Sequence, residues 1–129
     1  MVHVIATVIL VILDVLWVSL YMGKKYKRQI LIIQGTEMMP RLGYALMAYA
    51  LLVIGLNMFV LPRVRYAHRL RDSLVYGGTF GLIVYGVYDA TAAAVLKKWD
   101  IKLATIDVAW GAFLFFVATY VGKSWTVVK

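Results

Sequence analysis

Residues 2–22 read VHVIATVILVILDVLWVSLYM, an apolar run in which Asp14 is the only carboxylate. The hydrocarbon core of a bilayer is about 30 Å thick and takes about 20 helical residues at 1.5 Å rise each. The run has that length, so a transmembrane helix is predicted here. It lacks a basic leader region and a small-residue cleavage pattern. A retained span is therefore expected, not a cleaved signal.

The same reading recurs three more times. Apolar runs of spanning length cover roughly residues 41–61, 73–96 and 103–122, the last with a tail reaching toward Trp125. Pro40 stands at the start of the second run and Pro62 at its end, where proline opens or stops a helix. Asp72 or Ser73 is positioned to cap the third. The expected fold class is all-α, an integral membrane four-helix bundle forming one domain over residues 1–129. Composition agrees. The chain is 64% hydrophobic and 16% charged, with mean hydropathy +0.84. Soluble domains hold about 45–50% apolar and about 25% charged residues. With no cysteine, disulfides, thiolate metal sites and thiol nucleophiles are excluded.

The net charge is +8, but its distribution argues against nucleic acid. The cations cluster in the connections, where they meet lipid phosphates and fix orientation. Gly23 to Pro40 is expected to be the first connection, holding Lys24, Lys25, Lys27 and Arg28. Its apolar piece Ile30-Leu31-Ile32-Ile33 is too short to span and is expected to lie along the interface. Arg63, Arg65, Arg69 and Arg71 follow in the second connection, as solvated anchors. Lys97, Lys98 and Lys102 flank the third. The first and third connections share one face, here side B, with eight cations once Arg41 is included. Side A holds six, counting Lys123 and Lys129. The positive-inside rule thus places side B in the cytoplasm, by a small margin.

Three carboxylates fall at membrane depth: Asp14, Asp89 and Asp107. Such groups cost about 2.5–3.5 kcal/mol on insertion scales and mark functional candidates. Asp14 lies about two residues beyond the middle of its span, toward side B. Asp89 and Asp107 each lie about five residues from the middle of theirs, also toward side B, at nearly equal depth. Helical spacing puts Thr7, Leu10, Asp14, Trp17 and Tyr21 on one face, and Gly78, Gly81, Tyr85 and Asp89 on another. Asp107, Trp110, Gly111, Leu114 and Ala118 share a third. Gly77 and Gly81 form a G-x-x-x-G pair, and small residues on such faces let helices approach closely. The first, third and fourth spans are therefore expected to pack with their carboxylates inward. Trp17, Tyr85, Tyr88, Thr91 and Trp110 would line that centre.

His3 and His68 neighbour none of these acids, so no metal or haem site is expected. Asn57 reads as an interhelical hydrogen bond. The chain has no P-loop, nucleophile elbow, zinc motif or potassium-filter sequence. No catalytic residue and no cofactor is assigned.

Three ordered motifs carry a family resemblance. They are Leu13-Asp14-Val15-Leu16-Trp17, Tyr85-Gly86-Val87-Tyr88-Asp89-Ala90-Thr91, and Trp99 followed by Thr105-Ile106-Asp107-Val108-Ala109-Trp110-Gly111. Over nearly the whole chain they resemble a family of small predicted membrane proteins, domain-of-unknown-function family 2177. The resemblance implies a four-span fold and treats the three acids as a unit; it implies no activity. Two other groups are similar only in part. Small multidrug exporters carry a carboxylate in the first of about four short spans, but with a much shorter first connection. Intramembrane aspartyl proteases share Tyr88-Asp89, whereas Ala104-Thr105-Ile106-Asp107 lacks the glycines of their second motif.

The functional expectation is a small transporter or channel for protons or a small cation, centred on Asp14, Asp89 and Asp107. Three acids in one low-dielectric pocket cannot all ionise cheaply, so they would exchange protons for a cation or basic substrate. Aromatic faces at Trp17, Tyr85 and Trp110 suit an organic cation. Four helices enclose little space, so a homo-oligomer is expected, with membrane lipids as the other partners. Two readings compete with this one. In the first, the acids only fasten helices in a structural or interaction protein. In the second, Asp89 and Asp107 form an acid/base pair, which requires them to approach within one water.

Overall fold

The computed structural model describes residues 1–36 and 42–128, and among these all regular structure is helical. Four helices are long and apolar enough to cross a membrane: α1 (Val2–Gln34), α2 (Leu42–Arg63), α3 (Tyr66–Val95) and α4 (Ile101–Val128). Within a bilayer only intrahelical bonds satisfy the backbone, which keeps each apolar run helical throughout.

The helix ends follow local chemistry. α1 stops at Gly35, whose φ of 75° is left-handed, and whose N–H donates to the Leu31 carbonyl at 2.9 Å. Glycine reaches that conformation without a Cβ penalty. Pro62 sits in a tight 3₁₀ turn at Leu61–Arg63, after which Val64 is extended. Asp100 caps α4: its Oδ1 accepts the backbone N–H groups of Lys102 at 2.9 Å and Leu103 at 3.2 Å.

Several expected boundaries shift. α1 does not end at Met22. It continues to Gln34, so Lys24 to Arg28 and Ile30 to Ile33 belong to the helix itself, not to a loop with an interfacial segment. The cause is the absence of any helix breaker before Gly35; Gly23 alone does not stop a helix whose neighbours are long straight-chain residues. At 33 residues the helix is about 50 Å long, well beyond the hydrocarbon thickness.

α3 begins near Tyr66, not Ser73, and neither Asp72 nor Ser73 caps it. Asp72 instead accepts the Arg65 backbone N–H at 3.0 Å and pairs with its guanidinium at 2.9 Å. That bond holds the Arg65 guanidinium above its usual range. Arg69 donates to Ser124 Oγ at 3.2 Å. Arg69 thus joins α3 to α4, and Arg65 ties the α2–α3 connection onto α3. Pro40, Arg41 and Lys129 lie outside the described residues.

α4 is central, packed along α1 on one side and α3 on the other; α2 flanks them. The apolar core is Ala6, Leu10, Leu56, Val60, Leu61, Leu114, Phe115 and Ala118. It fills the side A half of the bundle. Asn57 donates to Thr7 Oγ1 at 3.0 Å and lies 2.6 Å from His3 Nδ1, joining α2 to α1. Close approach of α3 to α4 depends on glycine. A Cβ at Gly81 would lie 2.1 Å from the Gly111 carbonyl oxygen, and one at Gly77 2.9 Å from that of Phe115. A Cβ at Gly111 would strike the Tyr85 ring at 2.3 Å. Gly78 differs, since a Cβ there meets only ordinary contacts at 3.9 Å.

Candidate functional site

The side B half of the bundle is polar inside. Asp14, Asp89 and Asp107 are all buried there, with Asp89 only 2% exposed. They do not form one cluster. Among the described residues no three His, Cys, Asp or Glu side chains are arranged to hold a metal. The acids occupy two levels.

The deeper level is Asp14. Its Oδ1 accepts hydrogen bonds from the Tyr85 hydroxyl at 3.1 Å and the Trp110 indole N–H at 3.1 Å. The Tyr49 hydroxyl of α2 also faces it. Trp17 stacks on Trp110, with centroids 4.5 Å apart and planes at 6°. One carboxylate thereby fastens α1, α3 and α4.

The second level lies nearer side B. Asp107 faces the carboxyl of Asp89 and the hydroxyl of Tyr26. Both Asp89 oxygens are without a hydrogen-bond partner. Two facing carboxylates are acceptors only; a proton on one supplies the missing donor. Gln29 Nε2, Trp17 Nε1 and Trp99 Nε1 are also buried and unpartnered. Buried polar atoms are nearly always satisfied, so such a concentration of exceptions needs a cause. The level is roofed by Trp99, flanked by Tyr26 at 5.9 Å and Tyr88 at 6.2 Å. Gln29 Oε1 accepts the Asp100 backbone N–H, tying α1 to the roof.

A π-helical turn at Val18–Met22 aims α1 into this level. Tyr26 follows Asp14 by twelve residues, which in a regular α-helix sets it about 120° away. The π turn absorbs one residue and returns Tyr26 to within about 20° of Asp14. Gln29 comes round with it, and both reach the interior. Gly23 closes the turn: a Cβ there would lie 2.3 Å from the Val18 carbonyl oxygen.

Other expected positions fall differently. Thr91 lies on the exposed face of α3, away from the acids. Tyr88 is 57% exposed and meets the site's roof through an edge contact with Trp99. Tyr21 is turned outward, where it packs on Trp17 at 4.7 Å beneath Lys25. Tyr26, Gln29 and Tyr49 went unseen in the sequence. The first two sat in an assumed loop, and Tyr49 was one of several tyrosines on an apolar helix.

A crevice of about 430 Å³ opens on the outer surface of the bundle along the α3–α4 seam. Its walls are small or apolar, among them Gly86, Ala90, Ala93, Ala104 and Val108, and Asp89 is its one carboxylate.

The family model described as "Predicted membrane protein (DUF2177)" matches residues 1–124. No curated protein and no solved structure matches the chain.

Proposed function

For a chain that belongs to the DUF2177 family of predicted membrane proteins, we propose a carrier that exchanges protons for a small cation at Asp89 and Asp107. The observation that carries this reading is the buried carboxyl pair with both Asp89 oxygens unpartnered. Two acids face to face accept a single positive charge between them, as a proton or as another cation. Occupancy by one excludes the other, which is the elementary step of exchange.

Asp14 has a different part. Its bonds to Tyr85 and Trp110 are those of a fastener, so the helix-fastening reading is favoured for this acid alone. Between the acids and side A lies the apolar layer of Leu10, Leu114, Phe115 and Ala118. That layer supports a carrier over an open pore, because a charge cannot cross it without movement of the helices. Transit through so narrow a bundle calls for a homo-oligomer. The excess of cations at the side B end supports a cytoplasmic side B.

Catalysis by the pair is less well supported. The two acids do lie against each other, but only Asp89 lines the crevice. An acid/base pair must present both carboxyls to the substrate.

The test is ion flux into proteoliposomes loaded with a pH-sensitive dye. Asp89→Asn and Asp107→Asn are each expected to abolish cation-driven proton movement, and Asp14→Asn to leave a measurable part of it. Flux that survives the Asp89→Asn, Asp107→Asn double variant would falsify the proposal.

A further inference from the structure

We propose that the side A end of the α3–α4 seam holds the phosphate of an anionic phospholipid, gripped by Lys123 and Arg69 beside Tyr66. The inference is independent of the exchange centre, which lies in the other half of the bundle.

Three observations converge. The first is burial. Lysines at helix ends ordinarily extend their ammonium into water, yet Lys123 is only 7% exposed. Its Nζ lies 4.3 Å from the centroid of the Tyr66 ring. No carboxylate among the described residues pairs with it; the one ion pair there joins Arg65 to Asp72. A ring face offsets only part of what an ammonium loses on leaving water. The ammonium is nonetheless not sealed, unlike the hydroxyls of Ser73 and Thr119 one turn deeper. Tyr66 beside it is 40% exposed.

The second is convergence. Arg69 comes from α3 to the same place, donating from Nη1 to the Tyr66 carbonyl at 3.2 Å and from Nε to Ser124 Oγ at 3.2 Å. Its other N–H donors are unspent, and the Ser124 hydroxyl, accepting here, keeps its own proton to give. Ammonium, guanidinium and hydroxyl thus gather around Tyr66 with donors to spare, the set that phosphate oxygens take. The third is depth. Phe113 is the middle of the span Ile101–Trp125, and Lys123 lies about 15 Å beyond it. By the same rise Arg69 lies about 17 Å from the middle of Tyr66–Val95. The hydrocarbon ends about 15 Å from the bilayer centre, and the headgroups extend to about 20–22 Å. Both cations therefore stand at the level of lipid phosphates.

Charge selects the occupant. At this end Arg63, Arg65, Arg69, Arg71 and Lys123 stand against one carboxylate among the described residues, Asp72, which Arg65 already holds. A phospholipid with a net negative headgroup supplies the missing charge. A zwitterionic lipid brings a phosphate too, but its own cation competes with Lys123 for it. A soluble phosphate finds the same donors without acyl chains to keep it there. Bound at this place, the lipid phosphate bridges α3 to α4 where their seam ends.

The experiment is saturable binding of radiolabelled phosphatidylglycerol to the detergent-solubilised protein, with phosphatidylcholine and inorganic phosphate as competitors. Phosphatidylcholine is expected to compete at least about tenfold less well than unlabelled phosphatidylglycerol, and inorganic phosphate not at all. Lys123→Met, which keeps an apolar chain in place of the buried stem, and Arg69→Gln are each expected to weaken binding by about tenfold, equivalent to about 1.4 kcal/mol. Arg63→Gln, an exposed cation at the same end, is expected to change it by less than about twofold. If Lys123→Met does not fold, Ser124→Ala takes its place, with an expected loss of about threefold. Equal competition by phosphatidylcholine overturns the site, as does unchanged binding in the Lys123 or Arg69 variant. An equal loss in Arg63→Gln would mean diffuse attraction by the basic end and also overturns it. Competition by inorganic phosphate would make this a soluble-anion site and overturns the lipid.

Discussion

At the residue scale, equally buried carboxylates differ in what surrounds them. Asp14 answers two donors, Tyr85 and Trp110. Removing it leaves both without an acceptor. Asp14→Ala is expected to cost about 1–3 kcal/mol, and Asp14→Asn, which keeps an acceptor oxygen, clearly less. Thermal unfolding in detergent measures both. Asp89 has no hydrogen bond beyond its contact with the facing Asp107 carboxyl, which an asparagine amide can keep by donating. Asp89→Asn should unfold within about 0.5 kcal/mol of the parent protein or be more stable. A variant that is stable yet inactive in exchange is what a group retained at a cost to folding predicts. A large loss of stability in Asp89→Asn would instead place that residue with Asp14 as a fastener.

Among the elements, α3 and α4 meet where glycines leave room. Gly81→Ala forces a methyl group to within 2.1 Å of the Gly111 carbonyl, and overpacking of this kind costs about 1–3 kcal/mol. Gly78→Ala meets nothing closer than 3.9 Å and serves as the near-silent comparison on the same helix. The sequence pattern had grouped Gly78 with Gly81; the π-helical stretch at Ser73–Gly78 changes which positions face α4.

The π turn of α1 gives the second prediction at this scale. With no native cysteine, crosslinking reports helix rotation cleanly. Gln29→Cys and Asp100→Cys should crosslink in the parent background, because these residues touch. Gly23→Ala should abolish that crosslink by forcing the turn toward α-helical geometry, carrying Gln29 about 100° around the axis. A crosslink between cysteines at Ala6 and Gly122, where α1 packs on α4, should persist. Loss of both would mean general unfolding, not rotation.

For the whole molecule, the buried carboxylates Asp14, Asp89 and Asp107 lie toward one side of the membrane, while the side A half adds buried Ser73 and Thr119 and the Asn57–Thr7 bond to its apolar core. The acids, Tyr26, Gln29 and the Trp99 roof occupy the side B half, and the apolar core the side A half. The side B cations and the buried carboxyl pair lie toward the same end of the bundle, so the proposed exchange centre would face one compartment. With side B cytoplasmic, Lys98→Cys should react with an impermeant maleimide only in inverted vesicles, and Arg71→Cys only in intact cells. The reverse pattern would turn the carboxyl pair outward; labelling of both from both sides would mean dual insertion.

Much of this was legible in one dimension. Hydropathy and a rise of 1.5 Å per residue fix the number of spans and the depth of each acid, which is why Asp89 and Asp107 could be set level before any contact was known. These are local properties of the chain, and lipid enforces them. Rotation about the helix axis is not local. A single π turn shifts every later residue by about 100°, so Tyr26 and Gln29 entered the site, Tyr21 left it, and no residue count announced the change. Packing decided the rest. Only the meeting of α1, α3 and α4 gives Asp14 its two donors and leaves Asp89 with none. Three acids that look equivalent in the sequence are separated into a fastener and a pair because hydrogen bonds form between neighbours in space.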